Sequence, residues 1–305
     1  MCTSGALIID KQQGMTSADV VFKIKKKYCL SSVGHAGTLD PMATGVLVVL
    51  VGKATRLQHI LMAERKEYEG IICLGVVTDT DDITGRVVKN FPDRVLATDF
   101  PKYEAALKAK FLGKMMQTPP AYSAVHVDGK RAYALARANQ DVNLSPREVE
   151  IYSSDFKFIS AEKMRYSVAC SKGTYIRSIA RDVGEFLGCG ASLGEIRRVR
   201  SGKFVELNAD KLESLAEVVE NNKSWLSFDE LVGGLRRLVL NQDEVQSLYF
   251  GRQDVLGRFD GVVGTRGGEG DGDCETIFNL VDADNNRSIG LAEVHDGKLR
   301  VRFML

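Results

Sequence analysis

The longest unbroken apolar run in this chain is Val46 to Val51, six residues of valine and leucine. A membrane-spanning helix needs about 20 apolar residues, so this run is far too short to cross a bilayer. A short continuous apolar run is typical of a buried strand, and such a strand requires a sizeable core around it. With 305 residues, the chain is long enough for one large domain, or for a large domain and a small one.

Strand and helix patterns alternate along the first 228 residues without a regular βαβ rhythm. Thr16 or Ser17 is suited to begin a helix, because either hydroxyl can accept a bond from the first helical amides. Another amphipathic helix, with apolar residues at i, i+3, i+4 and i+7, ends at Gly188. Helices are predicted at 17–28, 55–62, 99–111 and 176–187, and strands at 6–9, 46–51, 65–77 and twice within 147–170, around a turn near Ala161.

The composition of the sequence changes beyond about Val239, where short segments rich in β-forming residues surround a glycine-rich tract, Gly261 to Gly272. We therefore predict an α+β protein with two domains, a large one at 1–235 and a small β-rich one at 236–305. Six scattered cysteines without a CxxC pair indicate free thiols in a reducing compartment. The N-terminal residues show no basic segment followed by a long apolar one, so we expect a cytoplasmic protein without a membrane segment.

The net charge of +1 conceals an uneven distribution along the chain. Residues 1–228 carry 32 basic and 26 acidic side chains, whereas residues 229–305 carry 9 basic and 14 acidic ones. Basic runs occur at 23–27, 101–137 and 197–203. A single basic run is usually a solvated surface, but three of them in the same part of the chain indicate a polyanionic partner.

The most distinctive loop pattern lies directly before the apolar run, in the segment GHAGTLDPMATG at 34–45. Its three glycines permit an irregular backbone or the close approach of a ligand. Asp40 is the loop's one acidic residue, and Pro41 favours an extended conformation for it. Two interpretations stay open from these residues: Asp40 forms an ordinary turn before proline, or its carboxylate acts at a cleft as a nucleophile or base.

A second cluster, SKGTYIR at 171–177, precedes the helix that ends at Gly188. Thr174 is predicted to cap that helix, which places Arg177 in its first turn. A cation in the first turn opposes the helix dipole, at a cost of roughly a few tenths of a kcal/mol. Arg177 is therefore either an ordinary surface residue or the partner of a carboxylate from elsewhere in the fold.

Three weaker patterns do not support a metal or nucleotide site. The segment that ends in Gly52-Lys53 has the wrong spacing for a phosphate-binding loop. Residues 282–293 place oxygen-bearing side chains at calcium-loop positions, but Arg287 occupies the position that requires glycine, so we predict a polar hairpin loop. Turns between strands explain the TDTDD segment at 78–82 equally well. We therefore expect no metal and no cofactor.

Seven segments combine into one ordered pattern: LIIDKQQGMTS (7–17), GHAGTLDPMATGVL (34–47), KEYEG (66–70), TDTDDITG (78–85), QTPPAYSAVHVDGKRAYALAR (117–137), CSKGTYIRSIARDVG (170–184) and IRRVRSG (196–202). In this order they resemble the TruB family of tRNA pseudouridine synthases, over nearly the whole chain. One departure is Gln12, where the family usually has proline. The C-terminal part resembles only loosely the small PUA-like domain of bacterial members.

The resemblance implies both a fold and a reaction. The implied fold is a central mixed or antiparallel sheet flanked by helices, with an RNA-binding insertion at about 101–145. The implied reaction isomerises uridine 55 in the T-loop of tRNA to pseudouridine, with the base flipped out of its stack and without a cofactor. Asp40 is then the catalytic residue. Three roles stay open for it: attack on the ribose, attack on the base, or abstraction of a sugar proton.

The same resemblance implies roles for six further residues around the flipped base. His35 fills or stacks against the space that the base leaves, and Tyr68 stacks on the base and takes part in proton transfer at carbon 5. Arg177 pairs with the carboxylate of Asp40, and we expect a bidentate pair. The remaining three line the pocket: Tyr175 on one side, Ile196 as an apolar wall and Lys11 as a cation.

The implied partner is tRNA, which binds to basic residues of the insertion such as Lys130 and Arg131. The protein is expected to be a monomer without a protein partner. Two alternatives stay open: a guide-RNA-dependent relative, and a tRNA-binding or tRNA-folding protein without catalysis. The intact set that includes Asp40 and Tyr68 argues against lost catalysis. The insertion and the ATG that follows Met42 favour an enzyme that acts alone.

Replacing Lys130 and Arg131 by alanine should weaken tRNA binding and flatten its dependence on salt. Each lost phosphate contact lowers the slope of log Kd against log salt by roughly 0.7–0.9, so the double variant should lose roughly 1.4–1.8. Filter binding at several salt concentrations measures this slope. An unchanged slope in the double variant would place the phosphate contacts elsewhere.

Overall fold

The computed structural model describes residues 3–92, 95–123, 125–127, 130–138, 140, 143–259 and 277–305. Within these ranges the chain forms a ten-stranded sheet, a four-stranded sheet and two small hairpins, with helices packed against them, which confirms the predicted α+β class. The strands are β1 (Gly5–Lys11), β2 (Val33–His35), β3 (Thr44–Val51), β4 (Lys66–Leu74), β5 (Val76–Thr78), β6 (Val87–Asn90), β7 (Gly113–Gln117), β8 (His126–Val127), β9 (Lys130–Arg131), β10 (Arg147–Ser160), β11 (Lys163–Cys170), β12 (Ala191–Ser201), β13 (Phe204–Val205), β14 (Trp225–Ser227), β15 (Arg236–Leu240), β16 (Ile277–Asp282), β17 (Ser288–His295) and β18 (Lys298–Met304). The helices are α1 (Ser17–Lys27), α2 (Gln58–Ala63), α3 (Phe100–Lys110), α4 (Ala132–Arg137), α5 (Ile176–Leu187), α6 (Phe228–Val232) and α7 (Gln242–Tyr249).

The large sheet is built around the apolar run that the sequence marks as a buried strand. Its strand order is β14-β1-β3-β12-β4-β11-β10-β7, with β2 attached to β3 and β13 to β12. The strands pair antiparallel, except that β3 and β12 run parallel. All six side chains of the run are buried, and the first five alternate between two apolar clusters on opposite faces of β3. The central position of β3 therefore explains why this strand has no polar face.

Helix α1 begins where the sequence predicts. The Thr16 hydroxyl accepts a hydrogen bond from the amide of Asp19 at 3.0 Å, and the Asp19 carboxylate accepts one from the amide of Thr16 at 2.9 Å. This reciprocal capping box satisfies two amides that the helix itself leaves unpaired. Val20 and Ile24 are fully buried against β1 and β3, so α1 covers one face of the large sheet.

Helix α5 differs from the prediction at its first turn. Its N-cap is Tyr175 and not Thr174, and none of the described side chains caps it. The Thr174 hydroxyl donates instead to the carbonyl of Ser171 at 3.0 Å, within the turn that precedes the helix. Arg177 nevertheless lies in the first turn, and Gly188 ends the helix with a φ of 72°, as the sequence predicts.

Two predicted elements are divided in the structure. The predicted helix at 55–62 consists of a 3₁₀ turn, Gly52–Leu57, followed by α2. The predicted strand at 65–77 breaks at Gly75, whose φ is 87°, and becomes β4 and β5. After this break the chain turns back to β12, where the Leu193 amide donates to the carbonyl of Asp81 at 2.9 Å. The TDTDD segment is thus a turn fixed to the sheet.

The C-terminal part forms the four-stranded sheet, in the order β15-β16-β17-β18, with α7 packed against it. The predicted polar hairpin loop joins β16 to β17, and the Asp282 carboxylate accepts hydrogen bonds from neighbouring residues within it. Apolar residues of β16, β17 and β18 join the same cluster as residues of β1 and β3. The boundary at 235/236 stays a prediction, and the tract Gly261–Gly272 lies outside the described residues. None of the described helices is long and apolar enough to span a membrane.

Gly45→Ala should destabilise the protein more than Gly14→Ala, although both glycines have similar positive φ values, 95° and 89°. A Cβ at Gly45 would lie 2.2 Å from the carbonyl oxygen of Arg198, whereas a Cβ at Gly14 would meet nothing within 4 Å. Both variants carry a backbone strain of about 1–3 kcal/mol. The variant at Gly45 also has to separate β3 from β12, which should cost roughly a further 1–3 kcal/mol. Urea unfolding followed by circular dichroism measures both losses, and equal losses would contradict this account.

Candidate active site

The loop that carries Asp40 connects β2 to β3 and is fixed by the beginning of α1. The Ser17 hydroxyl accepts a hydrogen bond from the amide of Leu39 at 2.9 Å and lies 3.2 Å from its carbonyl oxygen, to which it donates. The amide of Ala43 donates to the carbonyl of Asp40 at 3.0 Å, so Asp40 does begin a turn. Its side chain is nevertheless 40% exposed, and the carboxylate is accessible to a substrate.

Arg177 lies against this carboxylate. Its Nε is 3.0 Å from Oδ2 of Asp40, and its own side chain is 7% exposed. Nη1 donates to the carbonyl of Thr80 at 3.1 Å, and Nη2 donates to that of Tyr122 at 2.9 Å. The prediction of a bidentate pair is therefore wrong. The guanidinium contacts one carboxylate oxygen of Asp40, and its other two nitrogens donate to backbone carbonyls in two different loops. Asp82, 3.8 Å from Nη1, adds a second negative charge, and these contacts offset the unfavourable helix dipole.

Tyr68 on β4 and Ile196 on β12 lie next to the Asp40 loop. Both pack against the apolar cluster that includes Leu39 of that loop. Burial raises the pKa of the Tyr68 hydroxyl, whereas a hydrogen bond and the charge of Arg198 act in the opposite direction. Tyr68 therefore carries its phenolic proton at neutral pH, and it is a hydrogen-bond donor rather than a base.

Arg198 is the site residue that sequence analysis missed. It is 1% exposed and is the largest fully buried side chain among the residues that the structure describes. Its Nε donates to the carbonyl of Val46 at 2.8 Å and its Nη2 to that of Gly37 at 3.0 Å. A signal was present in the sequence: along a strand, residues two apart share a face, so Arg198 points to the same side as Ile196.

Lys11 lies against the backbone of the Asp40 loop, and its role at the pocket stays a prediction. Its side chain is fully buried, and Nζ donates to the carbonyls of Met15 at 2.7 Å, Gln12 at 3.0 Å and Pro41 at 3.4 Å. Burial lowers the pKa of Lys11 to about 8, although the negative charge of Asp40 opposes that change. Lys11 therefore braces the residue that follows Asp40.

His35 ends β2, at the entrance to the Asp40 loop. Burial and the positive charge of Arg198 both lower the pKa of its imidazole, which is therefore neutral at neutral pH. Its Nδ1 is buried and has no hydrogen-bond partner within the described parts of the chain. A neutral aromatic ring is suited to stack against an RNA base.

Tyr175 is held by a residue from a distant part of the sequence. The Gln117 side chain donates to the carbonyl of Tyr175 at 3.1 Å and accepts a bond from its amide at 2.8 Å. The guanidinium of Arg147 lies 4.7 Å from the centre of the Tyr175 ring. Sequence analysis missed Gln117, which carried no signal beyond its place at the start of the QTPPAYS segment.

The basic run at 197–203 is not the free phosphate-binding surface that the charge pattern suggests. Arg197 forms ion pairs with Asp10 at 2.9 Å and Glu206 at 2.7 Å, and Arg198 is buried. Lys203 donates to two backbone carbonyls after β14. Lys130 and Arg131 form β9, but their side chains lie outside the described part of the structure, so their role stays a prediction.

A cleft of about 760 Å³ borders this site, over the face of β4, β11 and β12. Its lining includes Met42 and Thr44 from the Asp40 loop, and Ile196 and Tyr166 from the sheet. The cleft therefore reaches the Asp40 loop and the apolar wall at Ile196, whereas Asp40, Tyr68 and Arg177 are not among its lining residues. An exposed carboxylate beside an apolar wall can accept a planar base and act on the sugar or the base.

The fold has known relatives. The chain matches the structure described as "Crystal Structure of a Cbf5-Nop10-Gar1 Complex" with a TM-score of 0.67 and 23% identity, over 98% of this chain and 84% of that one. It matches "Structure of H/ACA RNP bound to a substrate RNA containing 2'-deoxyuridine" with a TM-score of 0.63 and 23% identity, over 95% and 78%. At this level of identity the likeness establishes a shared fold.

Sequence comparison identifies the family, which the shared fold alone does not. The family described as "TruB family pseudouridylate synthase (N terminal domain)" matches residues 25–176, and "tRNA pseudouridylate synthase B C-terminal domain" matches residues 177–245. The class is therefore that of the pseudouridine synthases. The tRNA pseudouridine synthase B of Acaryochloris marina is 36% identical over 99% of this chain and 98% of its own, and that of Opitutus terrae is 42% identical over 69% and 86%. The chain belongs to the TruB family, which confirms the resemblance seen in its sequence.

Arg177→Lys should slow the chemical step by about 100-fold while leaving tRNA affinity nearly unchanged. A lysine ammonium cannot contact Asp40 and both loop carbonyls at once, so the carboxylate loses its fixed position. Single-turnover kinetics at saturating enzyme measure the rate, and filter binding measures the affinity. Arg181→Lys is the matched control, because Arg181 lies one turn further along α5 and pairs with Asp81 and Asp182 instead. Equal losses in the two variants would contradict the assignment.

Proposed function

We propose that this protein isomerises uridine to pseudouridine at position 55, in the T-loop of tRNA, and that Asp40 is its catalytic residue. The observation that carries the proposal is the exposed carboxylate of Asp40, held at 3.0 Å from the buried Arg177. Family membership supplies the reaction, since the curated relatives are named tRNA pseudouridine synthase B.

The reaction conserves all atoms of the nucleotide, so it needs no oxidant, reductant or energy source. The bond between the ribose and N1 of the base breaks, the base rotates, and a bond forms between the ribose and carbon 5. The proton of carbon 5 leaves and N1 gains one. One carboxylate of fixed position is enough to assist these steps, whether it acts on the ribose, the base or a sugar proton.

The surrounding residues have separate tasks in this proposal. Tyr68 stacks on the flipped base and offers its phenolic proton, and Ile196 forms the apolar wall opposite. Tyr175 lines the pocket, with its backbone held by Gln117. His35 takes the space that the base leaves in the RNA, which offsets part of the few kcal/mol that unstacking costs.

The partner is tRNA, and we propose that the protein acts on it in the cytoplasm as a monomer, without a guide RNA or protein partner. The name of the Acaryochloris marina relative, tRNA pseudouridine synthase B, which matches 99% of this chain, supports tRNA as the substrate. The solved structures of similar fold include an H/ACA RNP, so a guide-dependent relative is the alternative to test. Purified protein incubated alone with an unmodified tRNA transcript distinguishes the two, because a guide-dependent enzyme would form no product.

Asp40→Asn should abolish pseudouridine formation while tRNA still binds. The amide has nearly the same volume but no negative charge, so the loss should reach about 1000-fold or more in the single-turnover rate. Chemical mapping of pseudouridine on one tRNA transcript measures the product, and a transcript with cytidine at position 55 is the control for site specificity. Conversion by Asp40→Asn at close to the wild-type rate would remove Asp40 from the mechanism.

A further inference from the structure

A buried arginine without a carboxylate partner requires an explanation. Arg198 is 1% exposed, and within the described ranges its guanidinium forms no ion pair with an aspartate or glutamate. Burial of an uncompensated charge is costly, since the surrounding groups replace only part of the lost hydration. A leucine or methionine would fill the same position in the sheet at lower cost. The charge and the hydrogen bonds of Arg198 are therefore the features to account for.

The position of Arg198 joins three strands of the large sheet. It lies directly opposite Tyr68 in the antiparallel pairing of β12 with β4. On its other side it is paired with Gly45 in the parallel ladder between β12 and β3. Arg198 thus stands between the strand that carries the stacking tyrosine and the strand that follows the catalytic loop.

The hydrogen bonds of Arg198 reach both ends of that loop. Nη2 donates to the carbonyl of Gly37, three residues before Asp40, and Nε donates to the carbonyl of Val46, six residues after it. Gly37 has a φ of 101°, and a Cβ there would lie 3.3 Å from Nη1 of Arg198. The guanidinium consequently holds the two ends of the Asp40 loop at a fixed distance from each other, and it does so from the buried side of the loop.

Because Arg198 stands directly opposite Tyr68 across β12 and β4, its guanidinium acts on the Tyr68 hydroxyl and opposes the rise that burial causes in the pKa of that group. A guanidinium carries only donors, so its N–H groups favour a Tyr68 oxygen whose own proton points away from Arg198. The positive charge of Arg198 also disfavours protonation of the nearby His35, Lys11 and Lys66. Arg198 therefore influences the direction of the Tyr68 proton as well as the position of the loop.

We propose that Arg198 is a positioning residue for the isomerisation: it sets the span of the Asp40 loop and turns the Tyr68 hydroxyl proton towards the flipped base. This inference rests on the proposed function and adds to it a residue that acts through two others. It separates Arg198 from Arg177, which contacts Asp40 itself. A purely structural role for Arg198 would affect folding without any dependence on the Tyr68 hydroxyl.

A double-mutant cycle between Arg198 and Tyr68 tests the proposal. Arg198→Met should slow the single-turnover rate at saturating enzyme by about 100-fold, with tRNA affinity changed by less than about threefold. In a Tyr68→Phe background, which retains the stacking ring, the same change should cost at least about tenfold less. If Arg198→Met slows the reaction by the same factor in both backgrounds, Arg198 does not act through the Tyr68 hydroxyl, and this part of the proposal is overturned.

Two further variants keep the experiment decisive. Arg198→Lys retains the charge but cannot reach all three acceptors, so it should also be slow, and the cycle can be repeated with it if Arg198→Met does not fold. Lys203→Met is the matched control, because Lys203 also donates to two backbone carbonyls but lies away from the Asp40 loop. It should keep the wild-type rate per bound tRNA. Inactive wild-type protein would refute the proposed function, whereas an active wild type with a multiplicative cycle would refute only the role of Arg198.

Discussion

The parallel contact between β3 and β12 is the constraint on which the site depends. It joins the strand that follows the Asp40 loop to a strand from near residue 200, and it brings the carbonyl of Arg198 to 2.2 Å from where a Cβ of residue 45 would stand. Glycine is required at this point because no side chain fits. Through this contact Ile196, Tyr68 and the loop come to share one apolar cluster.

A second junction forms around the guanidinium of Arg177. The guanidinium contacts Asp40, the carbonyl of Thr80 and the carbonyl of Tyr122, and so joins these segments to the first turn of α5. The three residues are up to 82 positions apart in sequence. Tyr122 lies within the expected RNA-binding insertion. Its carbonyl accepts a hydrogen bond from Arg177, which in turn contacts Asp40, so two successive contacts join the insertion to the Asp40 carboxylate.

Several buried cations surround the one exposed carboxylate of the site, that of Asp40. Arg177 contacts it, Lys11 supports its loop, and Arg198 lies behind that loop. Burial lowers the pKa of both Lys11 and Lys66 to about 8, a sign of how little water reaches them. Asp82 adds a second carboxylate beside Arg177, so the cations and acids of the site are largely paired.

The sequence by itself determined the elements that local chemistry controls: the buried run Val46–Val51, the capping box at Thr16, the end of α5 at Gly188 and the loop around Asp40. These depend on neighbours within a few residues, and the family motifs are equally local. The tertiary structure alone decided the rest. Thr174 does not cap α5, because its hydroxyl donates to the carbonyl of Ser171 in the preceding turn. Arg177 does not form a fork with Asp40, and Arg198 is buried rather than exposed, because their hydrogen-bond acceptors lie in segments that only the folded sheet brings together.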